Sequence, residues 1–188
     1  NGYTQEWIEE AERRGLPNLK CMVDAIPAYI APESVAAFER FNVFSRNELE
    51  SRVEIEYEIY AKTLNIEAKA MIDIATKQII PAVIKYTTVL AQSITTVRAA
   101  CDADVSVQTE ILTEVSDLLA DTKNALGKLQ EVATHAAAMT EGRDQAVYYR
   151  DEVMTAMEAL RTPVDKLEML VDKAMWPMPS YGDLIFEV

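Results

Sequence analysis

From Asn47 to Ala100 the chain contains no glycine and one proline, Pro81. A stretch this long without the turn-making residue cannot fold into short strands joined by tight turns, so it reads as helix. A capping box opens it. In Ser45-Arg46-Asn47-Glu48 the Ser45 hydroxyl can accept the Glu48 amide, and the Glu48 carboxylate can reach back to Ser45. Behind the cap, Leu49, Val53, Tyr57, Tyr60, Leu64, Ala68, Met71 and Ala75 recur on one face. Ile55, Ile59, Ile66 and Ile74 form a second apolar set round the side, which predicts a helix lying between two neighbours. Pro81 removes an amide and clashes with the turn before it. A kink or short break is therefore expected near Ile79–Ile80, with helix resuming through Val83, Tyr86, Leu90 and Ile94.

Two more long helices follow. After Asp102 and Asp104, the series Leu112, Val115, Leu119, Thr122, Leu126, Leu129, Ala133, Ala136 alternates by three and four, a heptad seam. Gly127 costs this helix about 1 kcal/mol relative to alanine without ending it. Gly142 marks a turn. Ala146, Tyr149, Val153, Ala156, Leu160, Pro163, Leu167, Leu170 and Ala174 then repeat the period, with a bend expected at Thr162-Pro163. Two seams of one period joined by a short connection predict an antiparallel pair crossing at about +20°. Upstream, Thr4 caps a short helix to about Arg14 that Gly15 stops; residues 19–30 read as a second, and Pro32 opens a third that ends near Phe41. At about 1.5 Å per residue, the helix from 46 to 100 would span roughly 80 Å and the one from 104 to 139 roughly 54 Å. The three short helices are the natural cover for the overhang.

The last stretch breaks the pattern. Pro177 and Pro179 argue against helix, yet Trp176, Met178, Tyr181, Leu184, Ile185 and Phe186 form a dense apolar set. Such a tail is expected to lie in a groove of its own bundle or on another domain. The fold class is thus all-α: one domain over 1–188, an elongated antiparallel bundle of long helices. Short helices fill 1–44, the long-helix bundle 45–174, and an extended, non-helical apolar tail 175–188.

The chemistry is sparse. A formal net charge of −13, from 18 Lys+Arg against 31 Asp+Glu, repels phosphate backbones, and no local basic patch offsets it. Nucleic acid is therefore not an expected partner. No apolar run approaches the roughly 18 residues of a membrane span, and the polar, acidic opening residues do not form a signal peptide. A start without methionine fits an excised or processed piece. Cys21 and Cys101 lack metal-ligand spacing; two buried free thiols in a reducing compartment are expected, with a disulfide as the alternative. A di-iron bundle site needs two Glu-x-x-His motifs. Here the one histidine, His135, follows Val132 by three, and reads as a surface residue. There is no glycine-rich phosphate loop and no Ser/His/Asp or Cys/His set. Met71, Met154, Met157 and Met169 fall at helical spacing as core filler. Among the glutamates, Glu54 and Glu58 face solvent, with Glu58 able to pair with Lys62. Glu56 and Glu67 lie near the apolar stripe; if buried they need partners, and Arg52 is one turn before Glu56, so a structural ion-pair network is expected.

Four segments are distinctive. They are Asn1-Gly2-Tyr3-Thr4 with Ala11-Glu12-Arg13-Arg14-Gly15-Leu16-Pro17-Asn18-Leu19; Glu48-Leu49-Glu50-Ser51-Arg52-Val53-Glu54-Ile55 leading to Tyr60 and Asn65-Ile66-Glu67-Ala68; Ile80-Pro81-Ala82 with Tyr86; and Trp176-Pro177-Met178-Pro179-Ser180-Tyr181-Gly182-Asp183-Leu184-Ile185-Phe186-Glu187-Val188. In this order they resemble the C-terminal helical region of the type III glutamine synthetases. The likeness spans essentially the whole chain. Its first and last segments are the specific ones, while 102–145 is generic heptad. The resemblance implies a longer, cytoplasmic parent that joins ammonia to glutamate through γ-glutamyl phosphate, using ATP and divalent Mg2+ or Mn2+. It also implies two stacked hexameric rings, a homo-oligomeric dodecamer. The family's catalytic, metal and nucleotide residues lie in an upstream catalytic barrel, and none matches a position here. The expected partners are that upstream domain and neighbouring subunits. In this reading Trp176, Pro177, Tyr181 and Phe186 belong to a docking strip, and Arg52, Glu56 and Glu67 form an internal polar brace. A free-standing helical interaction or sensor module is the rival class; it fits the heptads but not the proline-spaced aromatic terminus.

Overall fold

The computed structural model describes residues 2–186, and among these every regular element is a helix. The order is α1 (Gln5–Arg13), α2 (Met22–Ala25) running into a 3-10 turn (Ile26–Ile30), α3 (Pro32–Arg40), α4 (Arg46–Ile74), a π turn (Ala75–Ile79) and α5 (Ile80–Ala100). After a short connection come α6 (Ser106–Ala138), α7 (Arg143–Tyr148), a second π turn (Tyr149–Val153), α8 (Met154–Leu170) and α9 (Tyr181–Phe186). The chain divides into two compact units. One comprises Asn1–Lys62 with Thr140–Val147, the other Thr63–Met139 with Tyr148–Val188.

In the first unit, local chemistry sets the helix ends. The Thr4 hydroxyl accepts the Trp7 amide at 3.4 Å, and α1 ends in a Schellman turn. There Gly15, at φ 71°, donates to the Glu12 carbonyl and Leu16 donates to that of Ala11. α3 ends the same way on a non-glycine residue. Asn42 sits at φ 52° and donates to Glu39, while Val43 donates to Phe38; asparagine tolerates this left-handed position better than most side chains. The single helix expected over 19–30 is instead one α turn followed by a 3-10 turn with Pro27 near its start. The Ser45 box forms as expected: the Ser45 amide donates to Glu48 Oε2 at 2.7 Å and the Glu48 amide to the Ser45 hydroxyl at 3.4 Å. Val23, Ile26, Val53, Tyr57 and Ala146 pack as the core. α2 and the 3-10 turn thus cover α4 at Val53 and Tyr57, and α7 closes the cluster.

In the second unit, α6 packs against both α5 and α8. Ile79, Val83, Val115, Leu118, Leu167 and Val171 form a shared core. The α6 seam buries Val115, Thr122, Leu126, Leu129, Ala133 and Ala136 as its spacing predicts, with Leu118 rather than Leu119 fully covered. Thr122 pairs its buried hydroxyl with the Leu118 carbonyl at 2.7 Å. Pro81 does not break the helix. It stands second in α5, and the strain is taken up just before it by the π turn, in which the Ile80 amide bonds back to the Ala75 carbonyl. A π turn uses one extra residue, which sets later side chains back by about 100° relative to a continuous α-helix. The buried line Leu64, Ala68, Ala75 therefore continues through Ile79, Val83 and Leu90. Pro163 likewise lies inside an unbroken α8 and is buried. The second π turn is well clear of Pro163; it seats Tyr149 and Val153 together in the core.

Two boundaries expected at the C-terminus are corrected. α8 stops at Leu170 rather than running to 174, with Val171 taking the last buried position while Ala174 is exposed. The tail assigned as non-helical over 175–188 carries a helix at Tyr181–Phe186. Pro177 and Pro179 exclude helix only as far as Ser180, which then caps a new one.

Candidate functional site

The expected polar brace does not assemble. Arg52 is exposed and lays its guanidinium 4.3 Å over the Phe44 ring, and among the described residues it makes no ion pair with Glu56. Glu56 is half-buried, whereas Glu67 is exposed because the covered face of α4 at that level belongs to Leu64 and Ala68. A glutamate in solvent needs no partner, so the premise of a buried network fails. The Glu58–Lys62 pair is present on the surface.

The expectation of two covered flanks on α4 also fails. Of the second apolar set, Ile74 packs against the second unit's core, but Ile55, Ile59 and Ile66 are 49%, 53% and 68% exposed among the described residues. Met154 and Met169 are exposed too, against their assignment as core filler. Cys101 is exposed and Cys21 half-buried, its sulfur 3.5 Å from the Tyr60 hydroxyl; both are free thiols, which corrects their placement as buried. His135 is a surface residue whose ring lies tilted against that of Tyr148, with centroids 5.0 Å apart.

The C-terminal segment is built in two halves with opposite behaviour. Met175 and Trp176 pack against the second unit's core. Trp176 and the half-buried Pro177 lead the chain out of α8. An apolar groove of about 550 Å³ runs beside them, lined by Met71, Ile74, Leu160, Val164, Trp176 and Leu184. Beyond it, Ser180 and Asp183 form a capping box: the Ser180 amide and hydroxyl both donate to Asp183 Oδ2 at 2.7 Å. Lys173 donates to the other Asp183 oxygen at 2.8 Å. These donors, Lys173 foremost and then Ser180, hold the Asp183 carboxyl well below the usual carboxylate range. α9 is therefore pinned at its start. Its apolar surface nevertheless stays largely open: Tyr181 and Leu184 edge that groove yet remain 85% and 67% exposed, and Ile185 and Phe186 are 63% and 81% exposed. Sequence reasoning found the apolar set but missed the helix. The missed signal is Ser180-x-x-Asp183, the same local device as at Ser45 with a shorter acid.

Among the described residues no three of His, Cys, Asp or Glu are grouped as metal ligands. No described helix is long and apolar enough to cross a membrane.

The profile of the family described as "Glutamine synthetase C-terminal domain" matches residues 1–98. The chain belongs to that family. A glutamine synthetase of Butyrivibrio fibrisolvens is 35% identical over 189 residues, covering 100% of this chain and 27% of that protein. A glutamine synthetase of Bacteroides fragilis (strain YCH46) is 28% identical, covering 99% of this chain and 26% of that protein. The type-3 glutamine synthetase of Dictyostelium discoideum shows the same 28% identity and the same coverage. The glutamine synthetase C-terminal domain described here thus spans about a quarter of the relatives it matches. Their similarity extends past residue 98 to the tail. Asn1, Glu187 and Val188, part of the segments that carried the resemblance, lie outside the described residues.

Proposed function

We propose that this chain is the helical C-terminal part of a cytoplasmic type III glutamine synthetase, and that its task there is structural. The whole enzyme would ligate ammonia to glutamate through γ-glutamyl phosphate, with ATP and Mg2+ or Mn2+ bound upstream. This part would brace the catalytic domain and join neighbouring subunits of a homo-oligomer, a dodecamer of two stacked hexamers. The family match and relatives covering the full chain at about a quarter of their own length support the reading.

One observation carries the docking role. α9 is fastened by Lys173–Asp183 and the Ser180 cap, yet its four large apolar side chains, Tyr181 and Leu184 at the groove's edge among them, stay mostly exposed. A free apolar segment would be ordinary; a fastened one left open is what a subunit contact requires. The strip comprises Trp176 and Pro177 as its root and Tyr181 and Phe186 as its contact face.

The test is removal of residues 176–188 from the full-length enzyme, with mass photometry and turnover as readouts. Smaller oligomers and reduced turnover are expected. Because truncation also uncovers the groove beside Trp176, a second variant, Tyr181→Ser with Phe186→Ser, leaves the root in place and should dissociate the oligomer similarly. Unchanged oligomer size and turnover in both variants would falsify the docking role.

A further inference from the structure

α1 has an apolar side covered only at its edge, where the Arg14 guanidinium lies 5.8 Å over the Trp7 ring. Trp7, Ala11 and Ile8 fall within one arc of about 100° on its circumference. Yet the helix buries no residue, and Trp7 and Ile8 remain 39% and 43% exposed. Past the Schellman turn, Leu16 and Leu19 are also exposed. Trp7, Ile8, Ala11 and Leu16 line an open groove of about 710 Å³, edged by Glu12 and Lys20. The first unit's core is made by Val23, Ile26, Val53, Tyr57 and Ala146, with no contribution from α1. α1 is thus an ordered, capped amphipathic helix that its own unit leaves open.

We propose that the polypeptide preceding residue 1 in the full-length enzyme packs into this groove, making α1 the seam between the upstream part and the helical domain. The inference rests on reading the chain as the C-terminal part of a longer protein, and it is independent of the role given to α9. Three observations select this occupant. The relatives are nearly four times as long, since the chain covers 26–27% of them, and the matching family is a C-terminal domain. In that reading the rest of the enzyme precedes α1. The helix begins at Gln5, so the upstream chain leaves within a few residues of the groove. A tethered neighbour meets it at an effective concentration in the millimolar range, well above that of a separate molecule. Charge gives the neighbour's chemistry. Arg13 and Arg14 are both tied to Glu10, while among the described residues no cation pairs with Glu6, Glu9 or Glu12. The complementary surface is an apolar strip flanked by lysine or arginine.

The test uses the full-length enzyme with Ile8→benzoylphenylalanine, a photoreactive side chain, in oligomers assembled from mixed isotopically light and heavy chains. Crosslinks from position 8 to residues upstream of this domain, joining peptides of one isotopic label, are expected. Crosslinks of mixed label would assign the groove to a neighbouring subunit and overturn the proposal. So would crosslinks confined to residues 1–188, or a yield no higher than at the exposed position Met169. A second variant, Ile8→Asp, should raise hydrogen exchange in the upstream contact segment about tenfold while oligomer size stays unchanged. Unaltered upstream exchange would also overturn the seam. Loss of the α9 role, read from the tail variants, leaves every one of these outcomes unaffected.

Discussion

Single positions separate what local chemistry decides from what packing decides. Gly127 lies inside α6, and a methyl group added there meets no atom within 4 Å. Gly127→Ala should therefore stabilise the chain by about 0.5–1 kcal/mol, seen as a raised urea midpoint at unchanged m-value. Asp183 reports on acid. Its carboxyl is depressed in the folded chain, so its contribution is complete above about pH 4 and fades only as pH falls further below that. A carbon NMR titration should show the Asp183 carboxyl still ionised where ordinary aspartates are half-protonated; a midpoint at or above 4 contradicts the Lys173 clamp. The caps at Thr4, Gly15 and Ser45 were legible because each depends on a few adjacent residues. The Arg52–Glu56 brace was misjudged for the opposite reason. Spacing puts the two within reach, but Phe44, eight residues upstream of Arg52, offers the guanidinium a ring face.

At the level of the element, α4 shows why periodicity alone misleads. Both its apolar rows have helical spacing, but the second is covered only at Ile74. Leu64 is buried while Ile66, two residues on, is 68% exposed. In this chain Leu64→Ala should cost about 2–5 kcal/mol, whereas Ile66→Ser should change stability by no more than about 0.5 kcal/mol. Chemical denaturation of the pair checks the assignment, and similar losses at both sites would mean the second row is covered after all. A sequence records that a face is apolar but not which surface meets it. The same limit applies to α9, whose cap was readable and whose exposure was not. Pro81 is a third case. The proline signalled strain correctly, but whether strain becomes a break or a π turn depends on keeping Ala75, Ile79 and Val83 on one packed line.

For the whole molecule, charge and connectivity set the behaviour. With a formal net charge of −13, self-repulsion opposes the compact state, and salt screens it over a Debye length of about 10 Å at 0.1 M. Raising sodium chloride from low ionic strength to about 0.5 M should raise the melting temperature; a fall would mean that the exposed ion pairs such as Arg46–Glu50 outweigh the repulsion. The all-helical class was legible from the missing glycines, but the division into two units was not, since it rests on contacts between residues far apart in the chain. That division has a consequence during synthesis. Ala146 shares a cluster with Val23, Ile26, Val53 and Tyr57. The amino-terminal cluster therefore stays incomplete on the ribosome until the intervening hairpin has been translated and residue 147 has cleared the exit tunnel. Within this domain, the stretch that leaves the ribosome earlier must wait, unfinished, for a partner translated well after it.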